Sequence, residues 1–167
     1  LERLAAFKDW MAVNSESIYG TTASPFDRHP DWGRVTTGKT VDGATRLYLH
    51  VFDWPESRSV HLPPMNNEVL SVKLLDGGQT LAYSSDAEGT RIELPKQPRN
   101  KAATVLVMNI KGAPDVEPFH VAPNDNGVLH LAAADAYLFG DNIRYTSHGD
   151  HGSIGHWTVA HDWVKWP

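Results

Sequence analysis

The stretch ATRLYLHVF at residues 44–52 decides the fold. Two sets of apolar or aromatic side chains alternate along it: Leu47, Leu49 and Val51, and between them Tyr48, His50 and Phe52. A period of two predicts a β-strand, because successive side chains of a strand point to opposite faces of the sheet. Since neither set is polar, we expect this strand to lie in the middle of a sheet whose two faces are both covered.

Further short runs of strand-forming residues follow this segment, each bounded by Gly, Pro or Asp turn chemistry. They are RSVHL at 58–62, EVLSVKLL at 68–75, QTLAYS at 79–84, TRIEL at 90–94 and ATVLVMNI at 103–110. Strands spaced roughly 8–12 residues apart, with no helical pattern between them, are typical of an antiparallel sandwich or barrel. We therefore predict a mostly β protein, built on an antiparallel β-sandwich.

The N-terminal stretch is different, because its apolar residues recur with the period of a helix. One stripe of that helix holds Leu4, Phe7, Trp10 and Met11, and Asn14 and Ser15 end it. A helix of about 14 residues is marginal alone in water, so its stripe must dock on something. The periodicity leaves two alternatives equally open: the domain that follows the helix, or a domain that precedes it.

Composition excludes several classes of function. The 167 residues contain no cysteine, which excludes a disulfide scaffold, thiol catalysis and Cys-ligated zinc. The formal net charge is −5, so nucleic acid is not an expected partner. No apolar run approaches the ~20 residues of a membrane span, and no membrane partner is expected.

A composition shift follows Gly112. The stretch APDVEPFHVAPNDNG at 113–127 contains three prolines and three acidic residues and is typical of a linker or an irregular crossing. Beyond it the sequence predicts two or three additional C-terminal strands and a loop rich in Gly and His. These strands either add to the first sandwich or begin a second module.

No residue pattern indicates a catalytic or metal site. Most acidic residues lie in predicted turns, and no pair stands out as the two carboxylates that glycoside hydrolysis requires. His148, Asp150 and His151 offer three metal-binding groups within four residues, but three glycines in and around this stretch and the absence of a helical pattern favour a flexible polar loop. No phosphate-binding loop occurs, and we predict no catalytic residue, no metal site and no cofactor.

Tryptophan is the remaining candidate for binding chemistry. Trp157, Trp163 and Trp166 cluster near the C-terminus of the sequence. Tryptophans are more often core residues, but an exposed indole on a β-surface can stack on the apolar face of a sugar ring. These three residues are therefore the predicted carbohydrate-binding residues, with a core role as the alternative.

Two stretches resemble a known family. FKDWMAVNSESIYGT at 7–21 resembles the helix and loop that end the catalytic barrel of α-L-fucosidases of glycoside hydrolase family 29, with Ser15 and Ser17 in place of the usual Gly and Ala. LYLHVFDWP at 47–55 resembles the characteristic strand of their C-terminal β-sandwich. EVLSVKLLDGGQTLAY, GTRIELP and VLVMNIKG resemble later strands of the same sandwich, in the same order, so the likeness covers roughly residues 1–112.

The resemblance implies a division of the chain. Residues 1–20 would be the terminal helix of a missing catalytic barrel, and residues 21–112 the antiparallel sandwich. Residues 113–167 would be a linker and, by likeness of IGHWTVAHDWVKWP, the opening strands of an incomplete galactose-binding-like jelly roll.

The resemblance also implies a function. The catalytic carboxylates of the family lie on earlier barrel strands, so this chain would be a non-catalytic, structural portion of an enzyme that hydrolyses α-L-fucosides with retention. Its partner would be that N-terminal barrel, and secretion or a periplasmic location is suggested. The alternative is a carbohydrate-binding module that takes fucosylated glycans on exposed tryptophans. An undocked helix stripe would favour self-association.

Overall fold

The structure is a computed structural model that describes residues 2–148 and 151–167. It divides into two compact units, Leu1–Glu117 and Pro118–Pro167. Among the described residues, no helix has both the length and the apolar character needed to cross a membrane.

In its described residues, the first unit contains one α-helix and seven strands. Helix α1 spans Glu2–Asn14 and continues into a 3₁₀ turn at Ser15–Ser17, so the predicted helix and its end at Asn14 and Ser15 are confirmed. The strands are β1 (Gly33–Thr37), β2 (Ala44–Val51), β3 (Ser59–Leu62), β4 (Val69–Leu74), β5 (Tyr83–Asp86), β6 (Gly89–Glu93) and β7 (Thr104–Lys111).

These strands form two antiparallel sheets. The first has the order β1-β2-β7-β4 and the second has the order β3-β6-β5. Strand β2 therefore lies between β1 and β7, with Leu47 opposite Met108 and Leu49 opposite Leu106. Every residue from Leu47 to Val51 is buried, which confirms the prediction of a central strand.

The core lies between the two sheets. Leu47, Leu49 and Val51 from β2 join one apolar cluster with side chains of β4 and β7 on the first sheet and of β3 and β6 on the second. Full burial of such a side chain contributes about 1.5–3 kcal/mol. The chain is therefore mostly β, with an antiparallel sandwich and an N-terminal helix, as predicted from the strand spacing.

The predicted strand over 79–84 is wrong in its position. After the turn at Gly77-Gly78 the chain returns along the edge of β4, where the Leu81 N–H donates to the Val72 carbonyl. It then crosses to the second sheet, and only at Tyr83 does β5 begin. Leu81 is buried in the core without lying in a strand, because the crossing carries it between the two sheets.

The second unit is built differently. It contains a 3₁₀ turn at Ala133–Asp135 and the strands β8 (Tyr137–Phe139), β9 (Arg144–His148), β10 (His151–Gly155) and β11 (Trp163–Lys165). The described residues of this unit thus form four strands, where two or three were predicted. They pair as two separate antiparallel ladders, β10-β9 and β11-β8.

Candidate functional site

Helix α1 packs against the outer face of the first sheet. The Trp10 ring lies against Tyr48 of β2 and Val105 and Val107 of β7, and its Nε1–H donates to the Ala103 carbonyl at 2.8 Å. We call this contact the helix seat. Its residues are Trp10, Asn14 and Ser17 on the helix side, and Thr36, Tyr48, His50, Ala103, Val105 and Val107 on the sheet side.

Hydrogen bonds continue the helix seat beyond the indole. The Asn14 amide donates to the Trp10 carbonyl at 2.9 Å, and the Ser17 hydroxyl donates to the Asn14 carbonyl at 2.6 Å. The Thr36 hydroxyl of β1 then donates to the Ser17 carbonyl at 2.7 Å. The polar groups that end the helix are thus satisfied inside a buried contact, as a helix terminus requires.

His50 lies at the centre of the helix seat and is 4% exposed. Its Nε2 is 3.3 Å from the Thr36 hydroxyl oxygen, and its ring lies 6.4 Å from the Trp10 ring between centroids. Burial lowers the pKa of His50 below its usual 6.5, and a hydrogen bond to the Ser17 backbone partly opposes that shift. The neutral ring is therefore the form that fits this contact.

The rest of the predicted helix stripe is not covered. Leu4 is 70% exposed and Phe7 is 61% exposed, whereas Trp10 and Met11 are partly buried. Of the two docking alternatives for the stripe, Trp10 follows the first, because it packs on the domain that follows the helix. Leu4 and Phe7 form an exposed apolar surface on the same helix.

A surface cleft of about 630 Å³ opens beside the helix seat. Glu16 from the 3₁₀ turn and Arg46 from β2 both line it and approach to 3.4 Å, with both side chains about half exposed. Tyr48 also lines it, and burial raises the pKa of the Tyr48 hydroxyl. The cleft is a polar recess with paired charges, and its carboxylates Glu16 and Asp42 are both exposed.

The predicted carbohydrate-binding tryptophans occupy different surroundings in the second unit. Trp163 on β11 is 50% exposed and stacks on its cross-strand neighbour Phe139, with ring centroids 4.0 Å apart. Trp157 is 53% exposed and donates its Nε1–H to the Asp162 carbonyl. Trp166 is partly buried and donates to the Ala132 carbonyl.

Phe139 is a residue that the sequence reasoning missed. Tyr137 and Phe139 alternate on β8, and this period of two was the available signal. Tyr137 lies opposite Lys165, two positions along from the stacked pair. Because paired and alternate residues of a ladder share a face, these side chains and Trp163 make one aromatic face. The described contacts join Trp163 to Phe139, not to Trp157 or Trp166.

Asp162 is the buried carboxylate of the described residues. One of its oxygens accepts from the Asp141 N–H and the other accepts from the Ile143 N–H, both at 3.1 Å. A Cβ built on Gly140 would lie 2.0 Å from the first oxygen, and the φ of Gly140 is +147°. Asp162 therefore holds the turn between β8 and β9, and its oxygens are occupied by backbone donors.

Most of the histidine-rich stretch forms strand and not the predicted loop, with His148 in β9 and His151–Gly155 as β10 among the described residues. Gly149 and Asp150 are not among them, and the side chains of His148 and His151 are not described. In the described part of the chain, no three His, Asp or Glu side chains come together as a metal site would require.

Comparison with known families decides the nature of the first unit. The sequence model of one family, the alpha-L-fucosidase C-terminal domain, matches residues 36–111. These residues are an α-L-fucosidase C-terminal domain. The chain has no match among curated protein sequences.

Solved fucosidase structures share the fold of this C-terminal domain. Alpha-L-fucosidase isoenzyme 1 from Paenibacillus thiaminolyticus matches with a TM-score of 0.55 and 24% identity, over 66% of this chain and 26% of its own length. The alpha-L-fucosidase from Vibrio sp. strain EJY3 matches with a TM-score of 0.57 and 22% identity, over 86% of this chain and 28% of its own. The chain thus spans about a quarter of the length of these solved structures.

The GH29 alpha-L-fucosidase from Bacteroides thetaiotaomicron gives a similar result, with a TM-score of 0.54 and 22% identity. It is matched over 65% of this chain and 24% of its own length. At these identities the likeness concerns the fold. The sheet side of the helix seat lies within the matched C-terminal domain, from Thr36 to Val107, whereas α1 lies before it.

Proposed function

We propose that this chain is the non-catalytic C-terminal region of an α-L-fucosidase and that its sandwich anchors the last helix of a catalytic barrel. In this proposal residues 1–20 belong to the barrel, residues 21–112 are the accessory sandwich, and residues 113–167 are a linker with the opening strands of a galactose-binding-like module. The observation that carries it is the helix seat, where α1 is fixed to the sheet through Trp10 and Ser17.

The exposed side of α1 supports the same proposal. Leu4 and Phe7 are largely solvent-exposed, although burial of each would contribute about 1.5–3 kcal/mol. A helix that is seated on one side and apolar on another suits a position between two domains. The barrel would supply the two carboxylates of retaining hydrolysis, about 5–5.5 Å apart.

A charge placed on the exposed stripe tests this role. In the longer protein that contains this chain behind a catalytic barrel, Phe7→Asp should lower both the thermal midpoint and the rate of α-L-fucoside hydrolysis, because the carboxylate would be buried at the domain contact. In the isolated 167-residue chain the same change should leave the unfolding of the sandwich unaltered.

The matched control is Ala12→Asp. It adds the same charge to an exposed position about 140° around the helix from Phe7. The longer protein should tolerate this change in both measurements. Equal tolerance of Phe7→Asp would show that no domain covers the stripe, and the proposed role would then be wrong.

A second candidate function is carbohydrate binding by the second unit, at the predicted residues Trp157, Trp163 and Trp166. The observation that favours it is the exposed Phe139–Trp163 stack, which offers a flat aromatic surface beside Tyr137 and Lys165. Fucosylated glycans are the ligands that the fucosidase context suggests.

Affinity electrophoresis through gels that contain fucosylated glycans tests this candidate. Retardation of the chain should be lost in Trp163→Ala and kept in Tyr145→Ala, which removes another half-exposed aromatic ring of the same unit. Unchanged mobility in every glycan would exclude the candidate.

The exposed stripe also predicts self-association of the isolated chain. Sedimentation velocity should show a concentration-dependent dimer that Phe7→Asp abolishes and Ala12→Asp does not. A monomer at all concentrations would show that the stripe is too small to hold two copies together.

A further inference from the structure

His50 is a buried histidine whose side-chain hydrogen-bond partners, Thr36 and Ser17, both belong to the helix seat, and the accessory role proposed above does not explain why a histidine lies there. We propose that His50 is a positioning residue that fixes the end of α1 on the sheet only while its ring is neutral, so that the seat loosens in mild acid. This inference deepens the proposed function by naming a regulation of the same contact.

The hydrogen-bond directions set the form of the ring. The Thr36 hydroxyl uses its proton to donate to the Ser17 carbonyl at 2.7 Å, so its oxygen is free to accept from His50 Nε2 at 3.3 Å. A neutral ring with its proton on Nε2 satisfies both bonds. Thr36 thereby links the histidine to the carbonyl at the end of the helix segment.

Protonation of the ring would create a positive charge that has no anionic partner among the groups around it. Those that contact it are Trp10 from α1, the Ser17 carbonyl, Thr36 from β1, and Phe52 just beyond β2, at 6.5 Å between ring centroids. None of these groups is anionic. Val105 is the cross-strand neighbour on β7.

The nearest charged side chains do not compensate either. Arg34 is the cross-strand neighbour on β1 and directs its guanidinium to the Gly33 carbonyl, and it is itself cationic. Glu16 of the 3₁₀ turn is paired with Arg46. Lys8 and Asp9 of α1 are exposed. Among the described residues, no carboxylate hydrogen-bonds to His50.

The sign of the pH effect follows from these contacts. Burial lowers the pKa of His50 in the seated state, while an unseated His50 keeps its ordinary value of 6.5. Above pH 6.5 both states are neutral and the seat has its full stability. As the pH falls below 6.5, the unseated state takes up a proton first, and the seating equilibrium weakens by about tenfold per pH unit until the lowered pKa is reached.

Hydrogen exchange of the Trp10 indole measures this equilibrium, because its Nε1–H is bonded to Ala103 only when the helix is seated. In the 167-residue chain, exchange is followed by ¹⁵N NMR between pH 5 and 8 and normalised to free tryptophan. The protection factor should fall by up to about tenfold per pH unit below 6.5. The backbone N–H of Leu106, in the core of β7, reports global unfolding, and a protection factor larger than that of the indole at every pH would show that the indole exchanges by unseating and not by unfolding of the sandwich.

His50→Gln is the test variant, because the amide keeps a donor but does not titrate. It should show a flat protection profile, whereas His61→Gln, at an exposed histidine of β3, should keep the slope of the parent chain. An identical slope in His50→Gln and the parent would overturn the inference.

A direct titration covers the case in which His50→Gln fails to fold. The His50 ring resonances of the unmodified chain should titrate clearly below pH 6.5, and a midpoint at or above 6.5 would overturn the inference. Both measurements concern the isolated chain. Their failure would therefore leave the domain-anchoring role intact, and failure of the Phe7→Asp test would leave this pH dependence intact.

Discussion

The two units of the chain are stabilised in different ways. Among the described residues, every buried hydrophobic side chain except Ile143 lies in the first unit, Leu1–Glu117. The second unit, Pro118–Pro167, exposes Leu129, Phe139 and Trp163 and holds its turns through polar contacts such as those of Asp162. Similar strand-forming sequences thus give a packed sandwich in one region and two separate ladders in the other.

The difference shows that strands with apolar side chains form a core only where a second sheet covers them. In the first unit two sheets face each other, so alternate side chains are removed from water on both sides. Two-stranded ladders have no second layer and are marginal by themselves. The second unit therefore keeps aromatic rings such as Phe139 and Trp163 exposed, whereas the outer face of the first sheet holds a helix.

The largest expected effect is in the core of the first unit. Leu106→Ala removes a fully buried side chain between the sheets. The free energy of unfolding of the first unit should therefore fall by about 2–5 kcal/mol. Urea denaturation followed by far-ultraviolet circular dichroism measures it. Leu129→Ala, at a half-exposed residue of the second unit, should stay within about 0.5 kcal/mol. Equal losses would remove the contrast between the units.

Asp162 tests the same contrast in the second unit, where polar contacts hold the turns. Asp162→Ala leaves the N–H groups of Asp141 and Ile143 without their acceptor, which should cost the second unit about 1–3 kcal/mol. Amide hydrogen exchange should rise across β8 to β11 and remain unchanged in β2 and β7. Asp141→Ala, which removes an exposed carboxylate near His161, should cost at most about 1 kcal/mol. Loss of protection in both units would mean that they unfold together.

The helix seat should give a smaller effect. Trp10→Phe keeps an aromatic ring on Tyr48 and Val107 but loses the donor to Ala103, so the seat should weaken by about 0.5–1.5 kcal/mol. Protease cleavage within α1 measures seating, and cleavage should become faster without a change in the urea midpoint of the sandwich. Phe7→Leu, on the exposed side, should cleave at the parent rate. A shifted midpoint would place Trp10 in the core rather than in the seat.

The smallest expected effect is that of Tyr48→Phe on stability at alkaline pH. Because burial raises the pKa of Tyr48, the folded state favours the neutral phenol. Its contribution is complete below pH 10 and is lost as the pH rises from 10 toward the raised value. Stability of the first unit should therefore decline above pH 10 in the parent and decline less in Tyr48→Phe. Identical alkaline profiles would show that the ring is hydrated.

Much of the first unit could be predicted from local pattern. The alternation at 44–52 gave the central strand, and the helical period gave α1, because both signals depend only on neighbouring residues. Strand β1 was not separated from its surroundings, since Val35 is its one large apolar residue. The crossing at 79–82 looked like a strand because Leu81 is apolar, and a sequence cannot show that one residue is shared between two sheets.

The candidate sites were less predictable for a related reason. Trp163 was identified by residue type, but its stacking partner Phe139 is set by the register of β8 and β11. His50 was placed correctly on the second face of β2, whereas its link to Ser17 through Thr36 joins residues that are distant in the chain. Such contacts depend on how the elements pack together. The spacing of residues along a single element carries no information about that packing.

Turnover of an aryl α-L-fucoside by the purified 167-residue chain tests the central claim most directly. The claim is that this chain anchors and supports a catalytic domain but performs no hydrolysis itself. We predict no release of the aryl alcohol above the rate without protein. Hydrolysis that co-purifies with the chain through successive columns would contradict the account.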